Sequence, residues 1–314
     1  MMEDMVLHKG RLAQTRIYLG KMLRMFVYQN DWKVLPMGAF IAAVVTLVVG
    51  ASMFVNQEGT TNGAFALTCV CIWNGFFNSI QVVCRERAVV KREHRAGLHM
   101  SFYIAAHMIY QLLLCLAQAV VTIIICRMTG VQFPEKGLVT PWGQVDMGIT
   151  ILLILYAADL MALMVSSIVR TTTTAMTVMP FLLIFQLVFS GTFFNLEGFA
   201  KKLTNLTISK WGMGSICAIG RYNDQPMVTL WNTMFKFKDV EYMGMKPVLE
   251  ALRTVEDEGR VDEFLLWSGS NNQNPLYVGT MQNVLEKWGM LLLIVAVCAV
   301  VSVIALEFID RDKR

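Results

Sequence analysis

Apolar and polar positions follow one another along this chain in long blocks. Six apolar runs fall at residues 34–55, 64–84, 101–126, 148–169, 175–195 and 288–308. Each is near the roughly 20 residues a helix needs to cross a hydrocarbon core. Ahead of them, residues 10–30 have an amphipathic pattern. Leu12, Ile17, Leu19, Met22, Leu23 and Phe26 make an apolar side, with Arg11, Arg16, Lys21 and Arg24 interleaved. That pattern predicts a helix in the headgroup layer or packed on a protein neighbour, and the two placements are compatible. Between the second and third runs, residues 85–97 form a basic interruption that predicts an interfacial loop or short helix. Residues 196–287 are the one long soluble-looking stretch. Within it, residues 247–267 predict one or two helices around Gly259, and residues 268–275 (SGSNNQNP) predict a turn-rich loop. The pattern as a whole predicts an all-α polytopic membrane protein in four parts: 1–33, 34–195, 196–287 and 288–314.

Lys and Arg placement orients these spans. Six lie in residues 1–33 and five in residues 85–97, whereas residues 57–63 carry none and residues 127–147 carry two. The positive-inside rule then places both termini and the 85–97 segment in the cytoplasm, and residues 196–287 outside. Long loops report topology weakly, and this one is nearly balanced, with ten basic and eleven acidic residues. Composition agrees with the class. The chain has 314 residues, 55% of them hydrophobic and only 16% charged, with a mean hydropathy of +0.52. Long continuous apolar runs exclude an outer-membrane barrel, and no stretch reads as nucleic-acid binding. The polar residues 1–31 read as a retained segment rather than a signal peptide.

Catalytic and metal signatures do not appear. There is no GxxxxGK[ST] loop, HExxH or GxSxG, and no His/Cys/Asp/Glu set with metal spacing. The expectation is a non-enzymatic chain. His107 falls early in the third run, where a buried, hydrogen-bonded histidine is the expected state. Asp159 is the one acid deep inside a run. A carboxylate there must be paired, protonated or wet, so it reads either as hydrogen-bonded to Tyr156, a serine or a neighbouring helix, or as a polar site in a cavity. Six of the seven cysteines lie in or beside apolar runs. Cys217 lies in a polar region, where an unpaired thiol or a cross-link between two copies is open.

Two stretches resemble a known family. The segment ERAVVKREHRAGLHMSFYIAAHMI resembles the second span, first cytoplasmic loop and third span of ABC-2 type transporter membrane domains, especially the G subfamily of ABC transporters. Glu86, Arg87, Arg92, Glu93, Gly97 and Tyr103 carry that likeness. The segment FSGTFFNLEGF resembles the family's signature at the end of span five, through Phe189, Ser190, Gly191, Asn195 and Leu196; Trp211 and Arg221-Tyr222 echo the sequel. The resemblance covers residues 10–225 and the last span.

What it implies is the permease subunit of an ATP-binding cassette exporter. It would form the translocation path as a dimer, with a second copy or a related permease, in a bilayer such as the bacterial inner membrane. A separate ATPase subunit would carry ATP and Mg²⁺, with no cofactor on this chain. The resemblance makes residues 10–30 a connecting helix, and makes Arg85, Glu86, Arg87, Lys91, Arg92 and Glu93 the coupling helix. It puts Asn74, Ile184 and Leu187 along a substrate cavity, with Thr192 and Phe193 as a plug, and Phe77, Asn78, Phe181 and Phe185 are candidates for further lining. It also implies a short re-entrant helix after span five. Aromatic and Met-rich walls suit an amphipathic or hydrophobic cargo. A membrane scaffold or receptor that recruits a cytoplasmic protein through its basic loop is the alternative. A secondary transporter is a third, resting on Asp159 alone.

Overall fold

A computed structural model describes residues 10–28, 34–191, 197–236 and 246–308. The described chain folds into α1 (Arg11–Tyr28), α2 (Val34–Val49), α3 (Gln57–Ser79), α4 (Val82–Arg95), α5 (Met100–Met128), α6 (Gly143–Ile168), α7 (Thr172–Val188), α8 (Gly198–Leu203), α9 (Ile208–Ile219), α10 (Thr229–Lys236), α11 (Lys246–Asp257), α12 (Val261–Asn271) and α13 (Met281–Glu307). Among the described residues there is no β-strand, only an isolated bridge between Lys136 and Trp142. Among the described residues five helical stretches are long and apolar enough to cross a membrane: Leu35–Ser52, Gln57–Arg95, Met100–Met128, Gly143–Ile168 and Met281–Glu307.

The fifth apolar run gives a shorter helix than its hydropathy predicts. α7 has 17 residues, about 26 Å at 1.5 Å per residue, against a core of about 30 Å. Its N-terminus is set by Thr171, whose hydroxyl accepts the Thr174 N–H at 3.2 Å. The helix stops at Val188, and Gly191 follows at φ +81°. The run's last residues, with the plug residues Thr192 and Phe193, lie outside the described residues.

Other boundaries also move where capping outranks hydropathy. α3 begins at Gln57, not near residue 64, because the Asn56 side chain accepts the Gly59 N–H at 2.7 Å. It ends at Ser79, and α4 starts at Val82, inside the second apolar run. The basic interruption is therefore the rear of a 14-residue helix. α4 closes on Gly97 (φ +100°), which donates to the His94 carbonyl while Leu98 donates to the Glu93 carbonyl, both at 3.0 Å. That paired reversal favours glycine. In residues 196–287 the expected helical pair is α11 and α12, with Gly259 at φ +67° between them. α12 runs on to Asn271, into residues whose polarity predicts loop.

α6 is the centre of the bundle, packing on α3, α13 and α5. The tightest approach is at Gly75 of α3, where a Cβ would lie 2.6 Å from the Leu155 carbonyl oxygen and 2.7 Å from the Ala158 Cβ. α9, almost wholly buried, is wedged among α3, α6 and α13. α1 lies across α5: Gln14, Thr15, Tyr18 and Met22 face the bundle, whereas Leu12, Ile17, Leu23 and Val27 face out beside Arg16 and Arg24. A helix with apolar residues turned away from its protein neighbour suits a lipid boundary.

Candidate functional site

α4 is the point where four elements meet. Its first N–H groups have no intrahelical acceptor, and its own preceding residue, Gln81, supplies no side-chain cap. Ser166, near the end of α6, fills that role: its hydroxyl accepts the Val83 N–H at 3.1 Å and the Cys84 N–H at 3.2 Å. Arg87 returns the favour, donating to the Ser167 and Val169 carbonyls at 2.8 and 3.1 Å. The two helix ends thus satisfy each other's unpaired groups.

The two glutamates of α4 turn towards α1. Lys21 pairs with Glu86 at 3.1 Å, and the Tyr18 hydroxyl donates to Glu93. Gln14 of α1 holds the turn after α4, donating to the Gly97 carbonyl and accepting the His99 N–H. Near the end of α4, His94 lies 3.9 Å from Glu307 of α13. α4 is therefore bonded to α1 and α6 and lies against the end of α13.

Its outward face is chemically different. Arg85, Ala88, Val89, Arg92 and Arg95 are exposed. Their spacing of i, i+3, i+4, i+7 and i+10 puts them on one side of the helix. The alternating signs along the sequence are thus sorted in space: the acids face α1, while three arginines and two small apolar residues face out. Lys91 lies half-buried beside that face.

The residues expected along a substrate cavity divide into two groups. Asn74 is 6% exposed and lies against Gly38 of α2, where a Cβ would come within 3.2 Å of the Asn74 amide. Asn78 exchanges two hydrogen bonds with Gln118 of α5, at 2.9 and 3.0 Å. Both amides thus serve contacts inside the chain. Phe77, Phe181, Ile184 and Leu187 are exposed, Phe181 at 70%, and Phe77 stacks on the equally exposed Trp73. They form an outward apolar strip on α3 and α7.

Asp159 is wholly buried between α6, α3 and α5. Its Oδ2 accepts the Cys115 thiol at 3.5 Å, and Oδ1 has no protein partner. The neighbouring-helix hydrogen bond expected for it is therefore made to a cysteine. His107 departs from expectation: it is 3% exposed, yet neither ring nitrogen has a partner. Cys217 lies in buried α9 at 0% exposure, not in a polar loop, so its thiol is inaccessible to a second copy.

Several anchoring residues lay beyond sequence reading because their partners are distant in the chain. Gln186 of α7 accepts the Ile208 N–H at 2.8 Å and the Ser209 N–H at 3.3 Å, capping buried α9. Glu58 accepts from Val228 and Thr229 at the start of α10. Asp146, fully buried, gathers the N–H groups of Leu138, Val139 and Thr140 at 2.7–2.9 Å. Lys210, in the first turn of α9, donates to the Asn205 side-chain oxygen at 2.6 Å. Burial, then the nearby Lys201 charge, holds its ammonium below the usual lysine range. Their only sequence signal was a polar side chain inside an apolar run, for Gln186, or shortly before one, for Glu58 and Asp146, and Lys210 had none.

The ABC-2 type transporter family matches residues 15–218, about two thirds of the chain, from α1 into α9. No curated protein matches the chain. The family supplies the permease component of ABC transport rather than its catalytic part, and its members generally pair with an ABC ATPase. With that match and its apolar helices, the chain is a multi-pass integral membrane protein belonging to the ABC-2 type transporter membrane family.

Proposed function

We propose that this chain is the membrane-spanning subunit of an ATP-driven exporter of the G-subfamily kind. It works as a dimer, with a second copy or a related permease, and is driven by an ATPase on a separate chain that binds ATP and Mg²⁺. α4 is the coupling helix and α1 the connecting helix. The observation that carries this reading is the wiring of α4. Its outward face carries Arg85, Arg92 and Arg95, while the same helix is bonded to α1 and α6 and lies beside α13. A push on that face reaches α1 and α6 through direct bonds.

In this reading α7 is a sixth span. Its shortness is met by local bilayer thinning and by α9, which returns into the bundle as a re-entrant helix capped by Gln186. Both termini and α4 lie in the cytoplasm of a bacterial inner membrane, and residues 196–287 form an extracytoplasmic insertion. The apolar strip of Phe77, Phe181, Ile184 and Leu187 meets the partner permease and lines the path for an apolar or amphipathic cargo. Thr192 and Phe193 close its outer end. Asn74 and Asn78 stiffen the wall from behind.

The test is purification of the tagged chain from its native membrane in mild detergent, with the mass of the complex and its ATP hydrolysis measured together. The expected result is an assembly of two permease chains that hydrolyses ATP. A chain that elutes without hydrolytic activity, or as a lone permease, would contradict the proposal.

A further inference from the structure

A cavity of about 320 Å³ lies between α1, the α3–α4 junction, α5 and the start of α7. That is on the order of ten times a water molecule's share of liquid volume. Its chemistry is graded. At the rim are Lys21 and Arg85, two cations against the single carboxylate of Glu86. The walls are mostly apolar, with Met22, Met25, Ile80, Leu114 and Met176 among them and Asn78, Gln81 and Tyr110 as their polar members. At the floor are His107 and Gln111, 3% and 1% exposed.

The floor is unsatisfied. Gln111 donates to Ser79 at 2.6 Å, but its carbonyl oxygen has no partner, and both nitrogens of His107 lack one. An imidazole always carries at least one N–H, so the floor offers an unpaired donor beside unpaired acceptors. Buried polar groups are normally paired. Here the missing partners converge on one cavity with a cationic rim. His107 is seven residues into α5, about 10 Å below the helix start. The cavity thus runs from headgroup level to the depth of a lipid's glycerol esters.

We propose that this cavity binds the head and glycerol region of an anionic phospholipid. The phosphate sits against Lys21 and Arg85, and an ester carbonyl or headgroup hydroxyl meets His107 and Gln111. The volume holds no whole lipid, so the acyl chains leave along the exposed apolar surface of α1 and α5, where Leu23 and Leu113 face out. Basic pockets between helices at the membrane surface are suited to such headgroups. The choice of cytoplasmic leaflet rests on the orientation proposed above. The site itself is tested on the chain without any ATPase, so its failure would leave the exporter reading standing.

The experiment is thermal unfolding of the full chain, purified in detergent and stripped of lipid, against dioctanoyl phosphatidylglycerol, dioctanoyl phosphatidylcholine and glycerol 3-phosphate. The anionic lipid is expected to raise the midpoint saturably, and the other two to shift it far less. Lys21→Gln is expected to weaken the response on the order of tenfold, as loss of a charge-assisted contact would. His107→Leu is expected to match or exceed the wild-type midpoint without lipid, because it removes an unpaired buried group, and to lose the lipid response. Leu114→Trp, which fills the cavity from another wall, should lose it too. Equal shifts with both lipids, a full shift with glycerol 3-phosphate, or an undiminished response in His107→Leu and Leu114→Trp would each overturn the assignment. The glycerol 3-phosphate result would give the site to a soluble anion.

Discussion

Gly75 sets the distance between α3 and α6, because only the absence of a Cβ lets the α6 backbone come so near. Gly75→Ala is expected to cost on the order of 1–3 kcal/mol, as overpacking does where the obstacle is backbone. Denaturant unfolding in detergent would measure it, and an unchanged stability would refute the packing described. Asp159 tests a different point. Its Oδ1 has no protein partner, and its Oδ2 needs only an acceptor for the Cys115 thiol, which an amide oxygen supplies. Asp159→Asn should therefore keep stability within about 1 kcal/mol, with the pH profile of ATP hydrolysis by the assembled complex unchanged. Loss of hydrolysis at intact stability would instead make Asp159 a proton-handling site. Residues of this kind were only partly legible in the sequence. A lone acid inside an apolar run announces itself, whereas a glycine between two helices does so only once the helices are placed.

Helix ends show most clearly what the sequence could and could not tell. Local caps were available to reading: Asn56 before α3, Thr171 before α7, Gly97 after α4. Weighing hydropathy ahead of them misplaced the start of α3 by seven residues and missed the break at Ser79. Tertiary caps could not be read at all. Ser166 serves α4 from 83 residues further along the chain, and Gln186 serves α9 across 22. Away from water these N–H groups must find partners somewhere, but nothing local says where. Ser166→Ala is expected to cost about 1 kcal/mol, the usual worth of an N-cap. It should speed amide hydrogen exchange at Val83 and Cys84 while leaving the α5 interior protected. Unaltered exchange at those two amides would show that Ser166 does not hold α4.

At the scale of the whole molecule, the apolar runs and the family likeness gave the all-helical, multi-pass architecture, because hydropathy over some 20 residues is a summed signal that single errors do not erase. The orientation of α4 was beyond that signal. Its sequence mixes charges of both signs, and only packing decides that the acids turn to Lys21 and Tyr18, Arg87 to the end of α6, and Arg85, Arg92 and Arg95 out. The central claim is that this outward basic face is where an ATPase engages the bundle. The most direct measurement is the amount of ATP-hydrolysing partner that co-elutes with the Arg85→Glu/Arg92→Glu protein, compared with wild type at equal thermal stability. The account predicts a folded permease stripped of that activity, since reversed charge on the docking face repels what the arginines attract. A doubly reversed protein that still brought down the wild-type amount would contradict it.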